Sequence, residues 1–275
     1  MPRFARCVFA VFLAVSCLTS SLTCQAAAPE TAAAAFILME ADSGRVLASR
    51  NETQERSIAS TTKIMTCLIA LEHSELTEKV TVKREHLREG SSMYLLEGET
   101  LTMEELLYGL MLPSGNDAAE ALADGCGGTA SFVRRMNGLA GELGMEDTSF
   151  ENPSGLDGQA HYSTARDMAR LAAYAAGNHT FVRLCSTRSV TIGGRTMTNH
   201  NRLLRAVPGC IGMKTGYTRA AGRTLVSAAE RDGRRLVAVT LQDGNDWADH
   251  AALYDWGFAQ PAGQETADHR REDTP

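Results

Sequence analysis

Ser60 and Lys63 stand in a run, Ser57 to Leu71, that opens on small polar residues and then turns almost wholly apolar. On a helix, residues three apart share a face, so hydroxyl and amine can meet. Lys63 is the one charge between Arg56 and Glu72. A lysine in such a run must find a partner or lose its proton. Neutral, it would serve as base for Ser60, which then becomes a nucleophile. Charged, it would only orient the hydroxyl.

Two more clusters carry related chemistry. Pro113-Ser114-Gly115-Asn116 is a tight polar turn between apolar segments and offers a hydroxyl and an amide. Gly212-Met213-Lys214-Thr215-Gly216 reads as a strand, with a cation, a hydroxyl and a glycine where another backbone can lie close. Singly, each is weak: Ser-x-x-Lys, Ser-Gly-Asn and Lys-Thr-Gly all occur in ordinary helix starts, turns and strand ends. Their joint occurrence, in this order, carries the weight. If they converge, Lys214 is the second cation that lowers the pKa of Lys63.

The elements that must position them follow from patterning. Phe36–Met39 and Val46–Ala48 read as a hairpin around Asp42-Ser43-Gly44. From His73 to about Tyr162 the pattern is mostly helical. Met103–Met111 is stopped by Pro113, Asp117–Ala123 ends at Gly125, and Ser131–Leu143 starts on Ser131 and ends before Gly144. Thr164-Ala165-Arg166-Asp167 opens another helix, closed by Gly177. Strands return after Arg188: a hairpin around Gly193-Gly194, then 212–216, 224–229 and 236–241. Asp246–Phe258 closes as a helix. Strands at both ends imply one sheet built from both chain ends, with the helical block inserted and Ser60 at the seam.

The chain has 275 residues, 44% of them hydrophobic, enough for a sizeable core. Met1–Arg6 carries two arginines and no acid, then comes the apolar run Cys7–Leu22 and small residues through Ala28. Residues 1–28 are therefore expected to be a signal peptide, with work done outside the cytoplasmic membrane; a retained anchor is the alternative. The formal charge of −6 makes nucleic acid an unfitting partner. Cys67, Cys126, Cys185 and Cys210 remain after such processing, too few for a disulfide scaffold, although a Cys185–Cys210 bridge is open. No Cys/His pair has zinc spacing, and neither metal nor cofactor is expected. The histidines occur singly, and Ser60 already has a base nearby, which argues against a Ser/His/Asp triad. Of these, His200 in Thr198-Asn199-His200-Asn201 is the candidate to line a cleft, although a loop hydrogen bond is the favoured reading. Residues 260–275 are polar and charged, expected to be disordered, with no apolar face for a C-terminal membrane anchor.

The three motifs together resemble the serine penicillin-recognising enzymes, the penicillin-binding proteins and class A β-lactamases. With Asn152-Pro153-Ser154-Gly155-Leu156, Tyr162 through Asp167, and Tyr217-Thr218 added, the chain from about Ala34 to Phe258 resembles the low-molecular-mass D-alanyl-D-alanine carboxypeptidases of the peptidase S11 family. That resemblance implies a β-lactamase/transpeptidase-like α/β (α+β) fold. An antiparallel sheet would be flanked by helices, with an all-helical insertion over about 74–162 inside a peptidase domain spanning 29–259. It implies a Ser60 acyl-enzyme, Lys63 as base and Ser114 as proton relay. Asn116 would bind a substrate amide, and Lys214 and Thr215 the terminal carboxylate. Gly216 would admit an added peptide strand, and the N–H groups of Ser60 and Tyr217 would hold the oxyanion. Stem peptides ending in D-Ala-D-Ala would be substrates, β-lactams covalent inhibitors, and the protein a monomer.

Two rivals are weighed. Class A β-lactamases deacylate with a Glu in a Glu-x-x-x-Asn loop; Glu142, Glu146 and Glu151 lack that Asn, and Ser-Gly-Asn replaces the usual Ser-Asp-Asn. Slow penicillin release is therefore expected. A non-catalytic module sensing cell-wall peptides or β-lactams would not need every nucleophile, base and relay position that this chain retains.

Overall fold

The structure is a computed structural model that describes residues 27–262. Most of the expected signal peptide and most of the polar tail lie outside the described residues. Strands β1 (Ala35–Glu40) and β2 (Val46–Arg50) form the expected N-terminal hairpin. A 3₁₀ turn over Ala59–Thr62 leads into α1 (Lys63–His73). Then come β3 (Lys79–Thr81), β4 (Thr100–Thr102), α2 (Met103–Met111), α3 (Asn116–Gly125) and α4 (Thr129–Glu142). After these follow α5 (Ala165–Ala176), α6 (His179–Ser186), β5 (Ser189–Ile192), β6 (Arg195–Thr198) and a short α7 (Leu203–Ala206). The chain finishes with β7 (Cys210–Thr218), β8 (Gly222–Arg231), β9 (Arg234–Leu241) and α8 (Asp246–Ala259).

One antiparallel sheet, in the order β2-β1-β9-β8-β7, joins the two ends of the chain as the patterning implied. Both of its faces are covered, which is why β1 is buried along its whole length instead of alternating. Ile37, Val226, Val237 and Val239 face a core shared with α1 and α5; Phe36, Leu38, Leu225 and Leu236 face a second core under α8. Residues 63 to 70 of α1 are all buried, as a helix threading the core requires. β7 is the edge strand, so its free side faces the cleft.

Details differ from the patterning. The segment expected to be all-helical also carries the β3–β4 ladder, pairing Val80 with Leu101; three-residue strands are too short to show a period. Helix α4 starts at Thr129 behind Gly128, two residues before Ser131. Helix α6 was not anticipated. Asn178 caps it by accepting from Phe181 N, and Phe181, Leu184 and Cys185 bury one face. Cys185 and Cys210 are free thiols, and Cys185 Sγ donates to Ile211 O at 3.3 Å, so the bridge left open is not made.

A buried polar network holds α8 to the sheet. His250, fully buried, has Nδ1 2.7 Å from Ser227 Oγ and Nε2 3.1 Å from Thr240 Oγ1; Ser227 Oγ also lies 2.7 Å from Tyr254 Oη. Burial lowers the imidazole pKa from 6.5 to about 3. An unfolded chain takes up that proton near 6.5 and the folded one does not, so stability falls as pH falls across this window. The unfolding midpoint should drop between those pH values, and His250→Gln, less stable at neutrality, should show the shallower slope in thermal denaturation.

Candidate active site

The site is built where the turn before α1 meets strand β7. Thr61 Oγ1 donates to Ile58 O (2.6 Å) and Thr62 Oγ1 to Ala59 O (2.8 Å), tightening the turn that carries Ser60. Ala59 is left-handed, with φ of 47°. Ser60 thus sits on a 3₁₀ turn, and Lys63 is the first residue of the α-helix. The i to i+3 relation survives this change, because such residues eclipse one another in a 3₁₀ turn.

Lys63 has no solvent exposure. Its Nζ lies 2.9 Å from Ser60 Oγ, 2.8 Å from Asn116 Oδ1 and 2.5 Å from the Ser154 carbonyl. Burial, and then the neighbouring Lys214, push its pKa well below 10.5, against weaker opposing pulls from Asp117 and Glu120. The neutral amine fits these partners. Nζ is placed to donate to all three; once the proton is lost, two N–H groups suffice for Asn116 Oδ1 and Ser154 O, and a lone pair is left for the Ser60 hydroxyl. That geometry suits proton abstraction from a serine.

Strand β7 closes in from the other side. A Cβ on Gly216 would lie 2.9 Å from Ser60 N and 2.4 Å from Thr224 Oγ1, so only glycine permits this approach. The resulting cleft of about 260 Å³ is lined by Ser60, Ser114, Thr215, Gly216 and Tyr217 together with Arg223.

Comparison with known proteins decides the family. The peptidase S11 description, D-alanyl-D-alanine carboxypeptidase, matches residues 22–245. The chain belongs to the peptidase S11 family. The carboxypeptidase DacB2 of Mycobacterium tuberculosis is 38% identical over 244 residues, 84% of each chain. DacF of Bacillus subtilis is 36% identical over 74% of this chain, which spans 56% of its length. Among solved structures, an evolved putative penicillin-binding protein homolog from M. tuberculosis superposes with a TM-score of 0.84 at 35% identity, covering 88% of this chain and 97% of that one. A variant of the Streptomyces K15 DD-transpeptidase gives 0.81 at 35%, covering 84% and 100%.

In this S11 chain the three motifs meet, but their side chains are placed unequally. Ser114 is left-handed (φ 65°) and 4% exposed, and its buried Oγ has no hydrogen-bond partner among the described residues. Asn116 spends both ends of its amide internally: Oδ1 on Lys63, and Nδ2 donating to Glu89 O at 2.7 Å. Lys214 is 1% exposed, donates to Thr215 O at 2.9 Å, and has its pKa lowered by burial to about 7. It does not line the cleft. His200 does, with a pKa lowered by burial and then by Lys214.

The motif reading had no role for the loop 152–156, which supplies the third partner of Lys63. Asn152 Oδ1 accepts from the N–H groups of Ser154 (3.2 Å), Gly155 (2.8 Å) and Leu156 (3.2 Å), and Thr66 Oγ1 donates to Pro153 O (2.6 Å). An Asn followed by Pro, Ser and Gly is a turn signal, but nothing local says what the turn touches. His161 braces the same region. Its Nδ1 accepts from Glu151 N (3.0 Å) and its Nε2 lies 2.8 Å from Thr62 Oγ1, while burial lowers its pKa to about 4.

Gly155 is the tightest contact of this loop. It is left-handed (φ 82°), and a Cβ there would stand 2.1 Å from Ala59 O, in the backbone of the Ser60 turn. Gly155→Ala should cost about 1–3 kcal/mol of stability. It should also slow labelling of Ser60 by a fluorescent penicillin at least about tenfold, since small misplacements of reacting groups are costly. Thermal denaturation and gel fluorescence read the two effects.

Proposed function

We propose that the protein is a penicillin-sensitive serine carboxypeptidase that removes the terminal D-alanine from peptidoglycan stem pentapeptides, working outside the cytoplasmic membrane. The observation that carries this reading is the buried Lys63 Nζ held between Ser60 Oγ and two fixed acceptors. In the proposed cycle Ser60 Oγ attacks the carbonyl carbon of the penultimate D-alanine while its proton passes to Lys63. The backbone N–H groups of Ser60 and Tyr217 bind the oxyanion. The unpartnered Ser114 hydroxyl relays a proton to the leaving nitrogen, the C–N bond breaks, and D-alanine departs. Water then hydrolyses the ester on Ser60.

Asn116 holds Lys63 in place, and Lys214 behind it keeps that amine neutral. Thr215 meets the terminal carboxylate of a peptide added along the free edge of β7 beside Gly216. A β-lactam enters by the same attack, but its amide nitrogen stays tethered after ring opening. No glutamate is among the cleft-lining residues, which favours slow hydrolysis of that adduct. Residues 29–259 are taken as the peptidase domain, acting as a monomer after removal of a signal peptide. Among the described residues no helix is long and apolar enough to cross a membrane.

Purified protein should release D-alanine from a pentapeptide ending in D-Ala-D-Ala, and Ser60→Ala should abolish release. Release that persists in Ser60→Ala would refute the mechanism, and turnover of a chromogenic β-lactam at many cycles per second would favour the β-lactamase reading. Protonation disables the base, so the acylation rate should rise with pH as Lys63 loses its proton, well below 10.5. Lys63→Arg cannot deprotonate and should lose at least about a thousandfold, given the ordinary worth of a general base. Stopped-flow acylation against pH reads both.

A further inference from the structure

We propose that Asp117 is a positioning residue for the reaction: its buried carboxylate locks the segment 89–95 against α3 and thereby fixes Asn116 and the Lys63 amine that Asn116 holds. This inference rests on the reading of Lys63 as the base for Ser60 and names what keeps that base in place.

Asn116 is the first residue of α3, a helix that begins behind Gly115 with no side-chain cap. It is pinned from outside the helix. Its backbone N–H donates to Ser91 O and its Nδ2 to Glu89 O, each at 2.7 Å. The stretch that supplies both carbonyls, residues 87–99, contains neither helix nor strand. Such a stretch has few backbone hydrogen bonds of its own and opens readily. Something must hold it before it can hold Asn116.

The carboxylate of Asp117, 1% exposed, does so. Its Oδ2 accepts from Ser92 Oγ (2.5 Å) and Leu95 N (3.1 Å), and its Oδ1 from Met93 N (3.0 Å) and Ala118 N (2.9 Å). The bond from Ala118 alone would mean only an acid in the first turn of a helix. The other three come from residues 22 to 25 positions earlier, and bonds to a carboxylate are the stronger kind. Ser92 Oγ extends the grip by accepting from Tyr94 N at 2.7 Å. Tyr94 is left-handed, with φ of 62°, a conformation that persists only where the surroundings fix it.

The glycine of Ser114-Gly115-Asn116 belongs to the same arrangement. A Cβ there would stand 2.6 Å from Asp117 Oδ1 and 3.1 Å from Met93 N, against both ends of one of these bonds. The middle position of the motif must therefore lack a side chain for the carboxylate to fold back over it.

Asp117 also bears on Lys63 through charge. The groups that face the amine are Lys214 from β7, Asp117 and Glu120 from α3, and His161 from the loop after α4, neutral with a pKa of about 4. Of the two acids Asp117 has the larger effect, and it opposes the lowering by burial and Lys214. Without that charge Lys63 would lose its proton at lower pH.

The test follows acylation by a fluorescent penicillin in stopped flow, separating the saturating rate from the half-saturating concentration. Asp117→Asn keeps the shape, removes the charge and sets an NH2 against donors. Its saturating rate should fall at least about tenfold, with little change in the half-saturating concentration. The pH at which acylation rises should move down. Ser92→Ala withdraws one donor and keeps the charge, so the rate should fall about threefold or more with the rise at unchanged pH. It carries the test should Asp117→Asn not fold, which thermal denaturation reads. A saturating rate within about twofold of the wild type in a folded variant, or a loss confined to the half-saturating concentration, would overturn the proposal and leave Asp117 an anion at a helix start. A wild type that penicillin does not acylate would instead overturn the reading of Lys63 and Ser60, and this inference with it.

Discussion

The site depends on a single constraint: an amine on α1 has been taken wholly out of water. An ammonium in so apolar a place carries a desolvation penalty of several kcal/mol even after relaxation, which is why its proton is given up. The remaining amine still needs partners, and no residue of α1 beyond the turn can supply them. One is local, Ser60 in the preceding turn, and two are distant, Asn116 at the start of α3 and Ser154 in the loop that follows α4. The inserted segment must therefore close on the sheet before the base has its geometry.

That closure leaves little slack, and the backbone shows where it is taken up. Each of the three motifs contains or adjoins one left-handed non-glycine residue: Ala59 before Ser60, Ser114 itself, and Met213 before Lys214. Such conformations cost roughly 1–2 kcal/mol apiece and persist only where the surroundings over-determine them. At two of the three, glycines allow the close approach of a second backbone. Gly155 lies against the Ala59 carbonyl, Gly216 against the Ser60 amide, and Gly212 beside the Cys185 carbonyl at the β7 bulge. The strained residue aims the functional one, and the glycine lets a second backbone come close enough to hold it there.

This division explains what was legible in the sequence. Repeated, local signals were readable: both hairpins, the core character of Ser57–Leu71, the Thr164 cap that accepts from Asp167 N, and the joint presence of three motifs. What escaped depends on pairs of segments. The role of 152–156 is visible only once Ser154 O meets Lys63. Ala, Ser and Met carry no preference for positive φ, so Ala59, Ser114 and Met213 gave no warning. Helix α6 could have been found, since Asn178 and the 181/184/185 spacing are present; the strand signals after Arg188 drew the boundary too early.

The alternation of β7 then links base strength to recognition. Lys214, on the inner face, acts on Lys63 through charge: burial lowers its own pKa to about 7, and after burial it is the next cause that pushes the Lys63 pKa well below 10.5. Thr215, one residue later, opens on the opposite face and lines the cleft. One strand thus turns the amine that acts on Lys63 to one face and the hydroxyl that lines the cleft to the other, so the electrostatics of the Lys63 amine and the polar lining of the cleft are set by neighbouring residues.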